Sequence, residues 1–330
     1  MRNNLIKNIL LYFVLIFFTR AIFSENKIIL KYATVAPSGS LWARYIEKIK
    51  NDIENKSKGQ ILIKAYYSGV AGDESTMSKK LKAGLIDIAA FTGLELGNIV
   101  SDIKVMELPF FFDNYKQVDL ATSALTKDME ELFDKKNLVF AGWGEGGFVY
   151  LLSKKPIQKF SDMDGMKIWA PVNEQIVKSL FMKYSLVPSY IGFESVLTQL
   201  QTGGLDAVYA PPMVAISMQW YQNVAYLTDL KLTCATGATL MNKSSFNKLP
   251  EDLKEIVLNA IRENSRALIL ELRKQNDEAM QIMKNKNINV VKMENSEISR
   301  LKEKGREVQM ELSGKLYSKE ILMKALNSLK

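Results

Sequence analysis

Histidine is absent from all 330 residues, which excludes His-based catalytic triads, HExxH zinc sites and imidazole general bases together. Most familiar enzyme chemistries go with it. The single cysteine, Cys234, allows no internal disulfide and no CxxC metal site, and beside Leu232 and Ala235 it reads as a small buried hydrophobe. No apolar run reaches the roughly 20 residues that span a bilayer. The longest, Ile9 to Phe18, follows Arg2 and Lys7 and precedes small residues, so residues 1–24 read as a secretory signal peptide with Ala21 or Ser24 at the cut. Export is the expectation, with an uncleaved anchor left open. Removing that segment takes Arg2, Lys7 and Arg20 and lowers the formal charge from +8 to +5. A single-sign charge block is also missing: Lys48 to Lys58 is interrupted by Asp52 and Glu54, which describes a solvated face rather than a nucleic-acid surface.

What is present is a globular pattern, 47% hydrophobic and too long for one ordinary core, so two lobes are expected. Ile28–Val35, Gln60–Tyr67 and Asp87–Phe91 read as strands, separated by helices at Leu41–Asn55 and Ser75–Lys82. That βαβ series predicts a largely parallel sheet, whose ligands sit beyond the carboxyl ends of its strands, here near Val35, Glu74 and Thr92. Asp73 and Glu74 also suit the cap of the following helix. Leu108-Pro109-Phe110-Phe111-Phe112 is an apolar knot expected to pack internally. Gly142-Trp143-Gly144-Glu145-Gly146-Gly147 resembles a dinucleotide loop only superficially, because Phe148–Leu152 is strand-like where a helix is required. Those glycines better fit a chain crossing between lobes, and no cofactor is expected.

A second βαβ series follows, with strands at Lys167–Ala170, Val187–Ile191 and Leu205–Tyr209 and helices at Asn173–Tyr184 and Ser195–Thr202. Pro211-Pro212 stops the last strand. Leu230–Ala238 reads as extended and returning to the first lobe, and Leu249-Pro250-Glu251 opens the longest helical pattern, past Met283. The fold class is therefore α/β, two mostly parallel sheets flanked by helices and linked by a long helix. The lobes are drawn as residues 25–143 with 237–260 and residues 144–236 with 261–330.

Four stretches, Lys64–Glu74, Val105–Phe112, Lys154–Pro171 and Leu200–Asp206, together resemble the DctP-like solute-binding proteins of TRAP transporters over nearly the whole mature chain. The resemblance implies a periplasmic binding protein, closing by hinge motion on a small molecule and handing it to TRAP membrane subunits. No enzymatic activity is implied. The family usually grips an organic acid with an arginine where this chain has Trp169, and some members use a second where it has Phe148 or Val149. A common asparagine falls on Ala210. A buried carboxylate deprived of its charge partner loses about 2 to 5 kcal/mol, so a dicarboxylate or sialic acid is disfavoured. Phe193, Phe148, Tyr209, Ala210 and Pro211 around Trp169 instead suggest a largely apolar pocket, and Lys167 is not expected to replace the arginine. The altered pocket resembles a divergent subset associated with TPR-repeat partner proteins, which implies such a periplasmic partner. Two rival expectations stand beside it: an organic-acid binder anchored by Arg44 or a relocated lysine, and an interaction protein whose lobes no longer close on a ligand. Trp169 as a plain core aromatic belongs to the second.

Overall fold

The computed structural model describes residues 27–172 and 174–330; the expected signal peptide lies outside them. Apolar alternation builds β1 (Ile28–Ala33), β2 (Ile61–Tyr66) and β3 (Ile88–Thr92), with β1 parallel to both others. The crossover helix α1 (Leu41–Lys56) starts where Ser40 Oγ accepts from the Ala43 N–H, and its stripe of Leu41, Tyr45, Ile46, Ile49 and Ile53 is buried. Asp73 caps α2 (Glu74–Lys82) by accepting from the Thr76 N–H at 2.8 Å. Beyond β3 the chain forms α3 (Gly93–Ile99) and a 3-10 segment (Ser101–Glu107), then α4 (Tyr115–Asp134).

β4 (Leu138–Ser153) runs unbroken through the glycine-rich stretch, with register shifts between Phe140 and Gly142, Glu145 and Gly147, and Val149 and Leu151. The glycines serve those irregularities. Gly147 stands at φ +95°, in the left-handed region, and an added Cβ would lie 2.3 Å from Asn276 Nδ2. The second series gives β5 (Ile168–Ala170), α5 (Gln175–Lys183), β6 (Pro188–Tyr190), α6 (Val196–Thr202) and β7 (Ala207–Ala210), with β5 parallel to β6 and β7. Pro212 does more than stop a strand. It opens α7 (Pro212–Ser217), where a missing N–H costs nothing.

β8 (Tyr226–Asn242) then runs antiparallel to β4 and reaches β3, followed by α8 (Lys243–Asn247), α9 (Glu251–Asn285), β9 (Asn289–Val291), α10 (Asn295–Leu312) and α11 (Lys319–Ser328). The sheet order is β2-β1-β3-β8-β4-β7-β5-β6, with β9 on β8. The two long strands therefore carry one half-sheet into the other. Around β1 to β3, Ile46, Ile49 and Ile53 pack with Val257, Ala260 and Ile261 of α9, and Leu125 and Phe133 of α4 pack in one cluster with Leu322 and Ala325 of α11. Val308 to Ala325 pack in the same cluster as Leu125 and Phe133, with α11 lying along α4. Around β5 to β7, Trp169, Val208 and Trp220 form one cluster and Ile168, Phe181, Tyr184 and Leu301 another.

Candidate ligand-binding site

Trp169, on the three-residue strand β5, is only 6% exposed. Its ring meets Tyr209 at 5.2 Å, Trp220 at 5.5 Å and Phe193 at 6.2 Å between centroids, and its Nε1–H donates to the Ile191 carbonyl at 2.8 Å. An aromatic block thus stands where the family resemblance implies an arginine. Phe193 covers its edge and remains 47% exposed. Ala210, the last residue of β7, and Pro211, the N-cap of α7, follow Tyr209 and are buried. Phe148 lies elsewhere, in the core that includes Phe91 and Cys234, against the Tyr115 ring at 4.7 Å with Lys231 Nζ 4.5 Å above it. Val35 is exposed at the end of β1, and Glu74 binds the end of β3, accepting from the Thr92 N–H at 2.8 Å and from Thr92 Oγ1 at 2.6 Å. Cys234 is buried, and burial raises its thiol well above the ordinary range, so it stays protonated.

On the other side of β5, Ile168 faces a cavity of about 130 Å³. Leu151 and Tyr209 floor it, Ile176, Leu180 and Phe181 of α5 cover it, and Phe110 with Leu232 closes one side. Of the nine residues anticipated to bind ligand, Tyr209 alone lines this space, so the cavity and the Trp169 block share one side chain. Phe110 was legible only as part of an apolar knot. In the fold Leu108, Phe111 and Phe112 are buried, while Phe110 takes φ +55°, donates its N–H to the Leu232 carbonyl at 2.7 Å and turns its ring toward the cavity. Gly305 on α10 makes room for it: an added Cβ there would stand 2.7 Å from Phe110 Cδ2.

Polar groups around the cavity divide by whether they are satisfied. Tyr184 OH donates to the Leu301 carbonyl at 2.8 Å and Thr228 Oγ1 to the Ile157 carbonyl at 3.3 Å. Tyr209 OH and Thr233 Oγ1, also in the lining, are buried without a hydrogen-bond partner among the described residues. Glu107 is the one acidic residue in the lining; its Oε1 accepts from the Thr236 N–H at 2.8 Å. The carboxylate fits because residue 93 is glycine, where a Cβ would come within 2.2 Å of Oε1. Burial pushes the Glu107 carboxyl up to about 7; the Thr236 bond opposes this, and Glu174 and Glu74 reinforce it.

Four cations that could serve as anchors each have a partner. Lys104 Nζ donates to Glu174 Oε2 at 2.7 Å, both side chains nearly buried, joining the 3-10 segment beside α3 to the N-cap of α5. Arg273 on α9 binds Glu145 and Asp119, each at 2.6 Å through Nη2, and stacks on Tyr115. Arg44 is exposed and donates to the Gly39 carbonyl at 3.1 Å, and Lys167 Nζ donates to the Gly203 carbonyl at 3.2 Å. Among the described residues no cluster of acidic and thiol side chains is arranged to hold a metal ion.

Residues 32–315 match the family model DctP, bacterial extracellular solute-binding protein, family 7. A C4-dicarboxylate-binding periplasmic protein from Rhodobacter capsulatus is 20% identical over 259 residues, 78% of each chain. Two crystal structures are similar in fold: a TRAP periplasmic solute binding protein from Ochrobactrum anthropi with its C-terminus bound in the ligand-binding pocket (TM-score 0.84, 21% identity, 92% of this chain and 95% of that one), and a sugar acid binding protein from Advenella mimigardefordensis in complex with galactonate (TM-score 0.82, 22% identity, 92% and 98%).

Proposed function

The chain belongs to the DctP family, family 7 of the bacterial extracellular solute-binding proteins, and from that premise we propose that its solute is apolar rather than a dicarboxylate or sugar acid. Membership itself makes it a periplasmic binding component of a TRAP-type transporter, not an enzyme, with a small solute and the TRAP membrane subunits as partners. The observation that carries the finer reading is the cavity beside β5, walled by Leu151, Ile168, Leu180, Phe181 and Phe110. Its volume, about 130 Å³, is close to that of an engineered apolar cavity of about 150 Å³ that stays dry and binds benzene. The missing anchor supports the same reading: Trp169 is sealed by aromatic neighbours, and Lys104 and Arg273 already neutralise carboxylates of the chain. A carboxylate entering beside Glu107 would meet no free cation there, since Lys104 is held by Glu174.

In this reading the two lobes are hinged where β4 and β8 cross, near residues 143 and 236. Uncharged lipid fragments and aromatic compounds are the candidate solutes, and a periplasmic TPR-repeat protein is the candidate partner of the arginine-lacking subset. Identifying the molecule that copurifies with the native protein tests the class directly. Calorimetry with succinate and galactonate is the complementary arm, and tight binding of either would sink the apolar reading in favour of a relocated cationic anchor. Trp169→Arg should abolish the Nε1 bond to Ile191 and disturb the Tyr209 ring that lines the cavity, weakening binding of the copurified apolar solute by about tenfold or more and admitting weak carboxylate binding. Unchanged ligand preference in a folded variant would show that the Trp169 block does not shape the binding space.

A further inference from the structure

The cavity is apolar except at three side chains whose hydrogen-bonding capacity the protein leaves open. Tyr209 OH and Thr233 Oγ1 have no partner among the described residues, although Tyr184 OH and Thr228 Oγ1 in the same lining are both satisfied by main-chain carbonyls. Leaving buried hydroxyls unpaired is costly, and a valine or phenylalanine would fill the same space without that cost. Glu107 Oε1 is held by the Thr236 N–H, and Oε2 meets no donor among the described residues. Gly93 supplies the gap in which this carboxylate rests, since a Cβ would stand 2.2 Å from Oε1 and 2.6 Å from Oε2. Acceptor capacity therefore borders an otherwise greasy space.

We propose that Glu107, Tyr209 and Thr233 form a head-group subsite, which takes a hydrogen-bond donor such as an alcohol or phenol at the end of an apolar solute. The inference rests on the apolar reading of the cavity and names the solute more narrowly: an apolar body with one uncharged donor. The surrounding charge sets the choice of head group. Lys104 is spent on Glu174 at 2.7 Å, so an anionic head finds no free cation there, while a hydroxyl can donate to Glu107 and receive from Tyr209 or Thr233. A plain hydrocarbon would fill the space and leave all three groups unpaired.

Benzyl alcohol, toluene and benzoate share one ring and differ only at the head, so their affinities, measured by calorimetry or ligand-observed NMR, read the subsite. Benzyl alcohol should bind about tenfold or more tightly than either of the others. In the double variant Tyr209→Phe/Thr233→Val the preference for benzyl alcohol over toluene should fall severalfold, with toluene affinity held and thermal stability not lowered. A role in packing alone would leave that ratio unmoved. Equal binding of benzyl alcohol and toluene to the native protein overturns the subsite while leaving the apolar cavity intact, and so does an unchanged ratio in the double variant. Absence of binding by all three probes overturns it as well. Tight binding of succinate or galactonate, measured in parallel, would instead remove the apolar reading itself.

Discussion

Replacing Lys104 with methionine should hold the two lobes apart without unfolding either. The stem of Lys104 lies on α3, where a Cβ on Gly97 would stand 2.4 Å from Cε, and its ammonium reaches Glu174 at the N-cap of α5. The two side chains are 6% and 10% exposed, so the pair exists only when these elements are pressed together. Methionine keeps the stem and deletes the charge, which leaves Glu174 buried and uncompensated. Breaking a buried pair in this way costs about 3 to 5 kcal/mol. Hinge opening would let water reach Glu174, so the cost should fall on closure rather than on either core. If solute binding needs the closed form, about 3 kcal/mol corresponds to a loss of more than about 100-fold in affinity. Small-angle scattering should report a larger radius for Lys104→Met at saturating solute, and the urea midpoint should move little. Adding Glu174→Leu removes the stranded charge and should recover part of the loss, less the cap that Glu174 supplies to the Ile176 N–H. Native-like scattering and affinity in the single variant would refute the latch, and so would a double variant no better than the single one.

Stability should fall as pH rises between about 4.5 and about 7, because the unfolded chain releases the Glu107 proton while the fold retains it. The displacement corresponds to about 3 kcal/mol at most, with Lys104, Glu174 and Glu74 as the charges bearing on the group; Glu107→Gln should flatten that part of the curve in urea titrations from about pH 5 to about pH 8. Arg273→Met would strand Glu145, which burial already holds above the ordinary carboxylate range despite the ion pair, and should cost about 3 to 5 kcal/mol in chemical denaturation. Gly147→Ala meets both an unfavourable φ of +95° and Asn276, whose amide bonds the Gly146 carbonyl and the Met213 N–H; a loss of more than about 2 kcal/mol is expected, and a melting temperature equal to native would contradict it.

The α/β elements were legible because each rests on local patterning. The stripe of α1, the Asp73 cap, the left-handed Gly203 after α6 and the Pro-opened end of β7 are written in a few adjacent residues. The sealed state of Trp169 was not, because Trp220 lies some 50 positions away and the Ile191 carbonyl comes from the next strand connection. The binding space was harder still. Phe110, Ile168, Leu180, Leu232 and Leu301 each carry the signature of an ordinary core residue, and only their failure to fill the volume between them makes a cavity.

Sequence by itself determined that this chain has no imidazole chemistry and no disulfide, that it alternates strands and helices in two series, and that its strand at Lys167–Ala170 carries a tryptophan. Those properties depend on residue type and short-range spacing, which the linear order contains. Tertiary structure alone decided that Lys104 and Arg273 are neutralised, that Glu107 sits against Gly93, and that Tyr209 and Thr233 present unpaired hydroxyls to an apolar space. Charge pairing and hydrogen-bond satisfaction are properties of what lies within about 3 Å of an atom, and for Lys104 and Arg273 those neighbours come from 70 to 154 residues along the chain.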